Sequence, residues 1–184
     1  MTDTLISEKS TMAQVLKVFP GARRTLFRNH HIGGCQSCGF QPEETLTELC
    51  ERNGGLDAGR VIEEIREGHE QDLAMEISPA DLHARRQTGE TMRLLDIRTR
   101  EEFDALRIEG AEFVNQELIQ QLMGTAGKND LIIFYDHTGG QSLDAAAYFV
   151  GHGFTNAKRL IGGIDAWSRD IDPKIRRYRL EKPA

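Results

Sequence analysis

No window of the chain comes near the ~20 consecutive apolar residues that a membrane-spanning helix needs, and the opening Met1-Thr2-Asp3-Thr4-Leu5 lacks the basic and apolar regions of a secretory leader. These absences predict a soluble, cytoplasmic protein with no membrane partner. Positive charge is also short. With 23 Lys and Arg against 29 Asp and Glu, a net charge of −6, the chain lacks the cationic excess that tracking nucleic-acid phosphates requires. One basic cluster, Lys174, Arg176, Arg177, Arg179 and Lys182, reads as a solvated tail. Three cysteines in 184 residues are too few for an extracellular disulfide framework. Two of them lie close together, and in a reducing compartment that spacing points to redox, persulfide or metal chemistry. Internal repeats and low-complexity segments are absent as well.

What is present is enough apolar content, 39%, for one core of ~110 residues plus a small helical satellite. Ser10 or Thr11 can cap a helix that carries Met12, Val15, Leu16 and Phe19 on one face and ends at Pro20 and Gly21. A second helix over about residues 22–29 leads into a glycine-rich loop, His30 to Phe40, that carries Cys35 and Cys38. Pro42 stands where a helix start would place it, with Glu43 and Glu44 in the first turn. Leu46, Leu49 and Cys50 share the inner face of that helix, and Asn53-Gly54-Gly55 stops it. Ala58, Val61, Ile62 and Ile65 give a last amphipathic helix. These segments predict a small all-α domain over residues 1–67. The polar stretch from Glu67 to Asp72 lacks periodicity, so a linker is expected at 68–75 and a second domain at 76–184, basic tail included.

In the second domain Ile77 precedes a Ser78-Pro79 helix start, and Leu94 to Arg98 reads as a short buried strand followed by a helix with Glu101, Glu102 and Phe103. Further strands are expected at Phe113-Val114, at the apolar run Leu131 to Tyr135, and at Lys158 to Ile161. Strands alternating with helices predict an α/β fold with a mostly parallel sheet, whose site lies at the carboxyl ends of the strands. That places attention on Asp136-His137-Thr138-Gly139-Gly140-Gln141-Ser142, which joins the Leu131 strand to the apolar stripe Leu143, Ala146, Ala147 and Val150. A strand, glycine turn and helix in this order make an anion cradle, because loop N–H groups and the positive helix end converge there. The first loop residue would be the reactive one, and here it is a carboxylate.

Residues Met75 to Tyr178 resemble the rhodanese family of sulfurtransferases. The matching pieces are Leu95-Asp96-Ile97-Arg98 with Glu101-Glu102-Phe103, then Arg107 to Ala111, the Asp136 loop, Gly151 to Asn156, and Ile161 to Trp167. The resemblance implies that Asp96, Arg98 and Glu102 form a structural polar network holding the loop. It also implies a working loop of the form Cys-x-x-Gly-x-Arg-Ser, against which this chain has Asp136, Gly139, Gln141 and Ser142. Sulfur transfer in that family needs a thiolate that becomes a persulfide, and a carboxylate cannot hold sulfane sulfur. Gln141 also removes the positive fork that would hold an anionic donor. The expectation is an inactive loop in which Asp136 accepts hydrogen bonds from the loop's own amides. Two alternatives stand beside it: an acid–base pair of Asp136 with His137, and a loop that binds a partner's thiol or persulfide segment without reacting.

The N-terminal domain resembles a small helical cysteine-bearing domain found beside hybrid-cluster-type and iron–sulfur-repair proteins, through Ile32 to Cys38, Glu43 to Leu46 and Cys50. A Cys-x-x-Cys pair before a helix start can have one thiol acidified by the helix dipole and a second placed to resolve a disulfide. Cys35 and Cys38 are therefore the candidate catalytic residues. A competing reading has Cys35, Cys38 and Cys50, with His30 or His31, holding zinc or an iron–sulfur cluster, although Cys50 falls on an apolar helix face. Together these readings predict a protein of sulfur trafficking or thiol redox chemistry, with a sulfur donor or acceptor protein or a small thiol as partner. The alternative is a non-catalytic binding or sensor module.

Overall fold

The computed structural model describes residues 6–33 and 39–175, which divide into two compact units at Leu73 and Ala74. Cys35, Cys38, Arg176, Arg177, Arg179 and Lys182 lie outside the described residues.

The first unit consists of α1 (Met12–Val18), α2 (Ala22–His30), α3 (Leu46–Arg52) and α4 (Ala58–Ala74). Thr11 and Thr45 start α1 and α3 with reciprocal capping boxes, closed by Gln14 and Glu48. The third helix thus begins at Leu46, four residues later than Pro42 suggests. The segment before it is a turn at Pro42 and Glu43 instead, closed by the Glu44 amide on the Gln41 carbonyl at 3.2 Å, and Pro42 and Glu44 give their carbonyls to the free amides of Ala13 and Met12 at the start of α1, at 2.9 and 2.8 Å. Met12, Val15, Leu26, Leu49 and Ile65 close a core that also contains Cys50.

Residues 68–74, expected as a linker, are the last turns of α4. Polar side chains hide the helix period there. Gly68 lies against Thr25, where a Cβ would meet the hydroxyl oxygen at 2.1 Å. Asp72, 8% exposed, pairs with Arg24 at 2.6 Å. Polar inward positions of this kind break the apolar stripe without breaking the helix.

The second unit runs β1 (Glu76–Ile77), α5 (Pro79–Gln87), β2 (Met92–Asp96), α6 (Arg100–Ala105), β3 (Glu112–Phe113), α7 (Gln116–Thr125), β4 (Leu131–Tyr135), α8 (Gly140–Gly151), β5 (Ala157–Leu160) and α9 (Gly163–Asp170). The described strands form a five-stranded sheet in the order β1-β5-β4-β2-β3, every pair parallel. All of β4 is buried. Leu131, Ile133 and Tyr135 point to one face with Leu82, Ile164 and Trp167; Ile132 and Phe134 point to the other with Leu122, Ala146 and Phe149. Burying each such side chain is worth roughly 1.5–3 kcal/mol, so a strand sandwiched on both faces anchors the domain. β2 continues outward to β3 while β4 continues the opposite way to β5, so the chain diverges between β2 and β4. Ligand sites of open α/β sheets lie at such switch points, beyond the carboxyl ends of the strands. No helix among the described residues is long and apolar enough to cross a membrane.

Candidate functional site

The loop after β4 begins at Asp136, directly on the switch point. Its carboxylate is 5% exposed and closes on its own loop. Oδ1 accepts from the amides of Thr138, at 3.0 Å, and Gly139; Oδ2 accepts from those of Gln141, at 2.5 Å, and Ser142, at 3.1 Å. Gln141 and Ser142 stand in the first turn of α8, so the carboxylate also meets the positive end of that helix. The cradle is real in shape, and its occupant is a side chain of the same loop. The Ser142 hydroxyl is buried and makes no hydrogen bond among the described residues.

Three further elements fix the loop. From α9, Ile164 donates its amide to the Asp136 carbonyl at 2.9 Å, and Asp165 to the His137 carbonyl at 3.1 Å. Gly163 allows that approach, since a Cβ there would stand 2.3 Å from the Asp136 carbonyl oxygen and its φ is +56°. From β5, Arg159 donates to the Gly139 carbonyl at 2.6 Å and to the Glu76 carboxylate of β1. From the β2 side, Glu102 meets the loop through His137, with Nε2 to Oε1 at 2.5 Å.

Asp96 and Arg98 form a pair with side chains 0% and 1% exposed. Arg98 Nη2 donates to Asp96 Oδ2 at 2.6 Å and to the Leu106 carbonyl at 2.7 Å. Tyr135, between this pair and the sheet, accepts from the Ile108 amide at 3.4 Å. Burial first, then the Asp96 charge, push its phenol well up, so it stays protonated. The pair braces the end of β2 and the start of α6. It does not touch the Asp136 carboxylate.

His137 pairs with Glu102, and the Asp136 oxygens are turned into their own loop. Glu102 is itself oriented by the α6 capping box: Oε2 accepts from the Thr99 amide at 3.0 Å and hydroxyl at 2.9 Å. The Thr99 amide, and then the Thr99 hydroxyl and His137, hold the Glu102 carboxyl below the usual carboxylate range against a partial burial cost. Sequence adjacency hides this pairing, because its members are 35 positions apart. Arg159 was equally hidden, since a lone arginine on a short strand carries no loop signal. The signal for Gly162 and Gly163 was their doublet at the strand end.

The first unit offers a different setting. Cys50 is 2% exposed in the apolar core, where burial, then the charges of Asp57 and Glu8, push its thiol up. Metal ligation needs a thiolate. In this apolar setting Cys50 packs as a core residue. His30 pairs with Glu64 at 2.5 Å, and His31 caps the end of α2 in the left-handed region. Among the described residues no group of three or more His, Cys, Asp or Glu could hold a metal ion.

A parallel sheet with a glycine-bearing anion cradle after its buried central strand has relatives. The chain is 32% identical over 115 residues to the adenylyltransferase and sulfurtransferase UBA4 of Candida albicans, covering 58% of this chain and 26% of that protein. It is 32% identical over 104 residues to the probable adenylyltransferase/sulfurtransferase MoeZ of Mycobacterium tuberculosis, covering 55% and 26%. The match to the thiosulfate sulfurtransferase GlpE of Pseudomonas aeruginosa is 26% over 102 residues and takes in 90% of that smaller protein. The chain thus matches about a quarter of the length of the first two relatives and nearly all of the third. Residues 78–170, which include every strand of the sheet except β1 and the whole Asp136 loop, match the family model of the rhodanese-like domain, and by that match over half of its length the chain belongs to the rhodanese-like family.

Proposed function

We propose that this chain works in sulfur trafficking or thiol redox chemistry, with a rhodanese-like domain whose own loop is not a sulfurtransferase centre. The observation that carries this is the Asp136 carboxylate, buried and bonded to four amides of its loop. A carboxylate has no sulfur to transfer and occupies the volume where a persulfide would be held. Any persulfide or disulfide step then falls to Cys35 and Cys38, whose Cys-x-x-Cys spacing suits an acidified thiol and a resolving one. Cys50, buried in the apolar core, is not part of that pair. The partner class is a sulfur donor or acceptor protein or a small thiol, in a reducing compartment where free thiols persist. The sulfurtransferase names of the relatives support the trafficking half of the reading.

The test is intact-mass analysis of anaerobically purified protein after thiosulfate or polysulfide, comparing wild type with Cys35→Ser and Cys38→Ser. A reductant-sensitive gain of about one sulfur (~32 Da) that one variant loses places the persulfide on that cysteine. No gain in any sample sinks the relay. The domain is then read as a binding or sensor module, for which the self-closed Asp136 loop already speaks.

A further inference from the structure

We infer that Asp136 is a built-in stand-in for a persulfide, so that the loop stays in the conformation of a sulfur-loaded rhodanese-like domain without carrying sulfur. The inference rests on the proposed inactivity of the loop and adds the state in which that loop meets a partner. Four amides and the first turn of α8 converge on one buried negative group. A lone cysteine sulfur in that place, thiol or thiolate, ends one bond beyond Cβ and leaves the farther donors without acceptors in a buried site, and buried amides without partners are costly. A cysteine persulfide puts an anion at the farther reach. Its chain is Cβ–S–S⁻, and that of aspartate is Cβ–Cγ–O⁻, so each puts a unit negative charge two bonds beyond Cβ. The S–S bond, about 2.04 Å, is longer than a C–O bond of about 1.2 Å, and the second carboxylate oxygen makes up reach by spanning the cradle. The cradle also holds one polar group that the carboxylate leaves unused, the buried Ser142 hydroxyl.

The surroundings fit a loop locked in one state. The Asp136 and His137 carbonyls are tied to α9 and the Gly139 carbonyl to Arg159. The loop backbone is thus held from outside while the carboxylate holds it from inside. An acceptor that docks on loaded rhodanese-like domains would find here the loaded loop shape with no sulfur to remove. The kind of partner this face fits is a thiol-bearing sulfur acceptor, engaged without turnover.

Hydrogen exchange at the loop amides tests the equivalence. The background is full-length Cys35→Ser/Cys38→Ser, so the result does not depend on where the wild-type chain carries sulfur. In that background Asp136→Cys is measured reduced and after inorganic polysulfide. The loading step is balanced: the introduced thiolate attacks a terminal sulfur of Sn2−, one S–S bond forms, one breaks, and S(n−1)2− leaves with its electron pair. Mass and peptide mapping report the extra sulfur, and Trp167 fluorescence reports that the domain is folded.

The expected result is that Thr138, Gly139, Gln141 and Ser142 amides exchange ~10-fold or more faster in the reduced variant than with Asp136, and that loading returns them to the protected rate. A reduced variant that folds only once loaded supports the equivalence as well. Three results overturn it: a thiol that polysulfide does not load, loading that leaves exchange fast, or a reduced thiol that protects as well as Asp136. None of these touches the Cys35/Cys38 assignment, which stands or falls on the intact-mass comparison in the wild-type chain.

Discussion

At the scale of single residues, the Asp136 loop on the proposed reading has the length, glycine and serine that the resemblance implies for a sulfur-transfer loop, with two side chains that set its chemistry apart. In that reading Asp136 stands in the nucleophile's place. Gln141, neutral, stands where the family's arginine would hold an anionic donor. Since four loop amides converge on one point, Asp136→Cys with Gln141→Arg is expected to raise thiosulfate-to-cyanide sulfur transfer well above the wild-type level. A folded double variant without activity, checked by Trp167 fluorescence, would mean that the cradle geometry is wrong for sulfur. A second expectation concerns the thiols. Cys50 is buried and its thiol is pushed up, so no third alkyl adduct should form on the native protein, and it should appear only in denaturant. A third adduct under native conditions at a comparable rate would contradict the core placement of Cys50.

Much of this residue-scale picture was legible in the sequence. A carboxylate at the head of a glycine loop between a β-branched strand and a helix already implies a filled cradle, because every part of that argument is local. The Glu102–His137 pair was not legible. Its two members meet only because β2 and β4 are sheet neighbours, and the register that makes them neighbours is a property of the whole sheet.

At the scale of elements, the loop depends on the turn that enters α9. Gly163→Ala adds a Cβ 2.3 Å from the Asp136 carbonyl oxygen at a residue with φ of +56°. The loop or α9 must move, and a loss of at least 2–3 kcal/mol is expected in denaturant unfolding, with faster exchange of the loop amides. Gly54→Ala, which meets nothing within 4 Å at a φ of +94°, carries only the backbone strain and should cost less.

The start of α6 gives a pH expectation. The Glu102 carboxyl is lowered by the Thr99 amide, then by the Thr99 hydroxyl and His137. A lowered carboxyl stabilises the fold above its unfolded value, about 4.3, and that contribution disappears as pH falls through its folded value. Glu102→Gln keeps a side chain suited to a capping box but loses the charge facing His137. It should therefore be less stable than wild type by about 0.5–1 kcal/mol at neutral pH, with the two proteins converging in acid. A difference that persists unchanged at low pH would assign the effect to shape and not to charge.

Element boundaries show why sequence periodicity misplaced the end of α4. An inward Gly68 packs closely on Thr25 and an inward Asp72 pairs with Arg24, so the helix continues where its apolar stripe stops. The start of α3 was misplaced for the opposite reason. Pro42 is a favourable first-turn residue, but its carbonyl was already needed by the Ala13 amide.

At the scale of the whole molecule, the two compact units have separate cores: the apolar cluster of the first runs from Ile6 to Ile65, and those of the second begin at Met75. Cooperativity follows shared buried contacts, so each core should respond to its own mutations. The chain supplies a reporter for this, because its single tryptophan, Trp167, is 4% exposed in a core of the second unit. Leu49 is fully buried in the first unit, and truncating a buried leucine costs about 2–5 kcal/mol. Leu49→Ala should lower the denaturant midpoint of the helical signal lost with the first unit while the Trp167 transition keeps its midpoint. Leu95→Ala, fully buried beside β4, should do the reverse. If Leu49→Ala moved the Trp167 transition by the same amount, the two units would unfold as one. Sulfur chemistry at Cys35 and Cys38 would then be felt in the Asp136 loop through shared stability. If the transitions separate, the thiols and the loop are not coupled through shared stability.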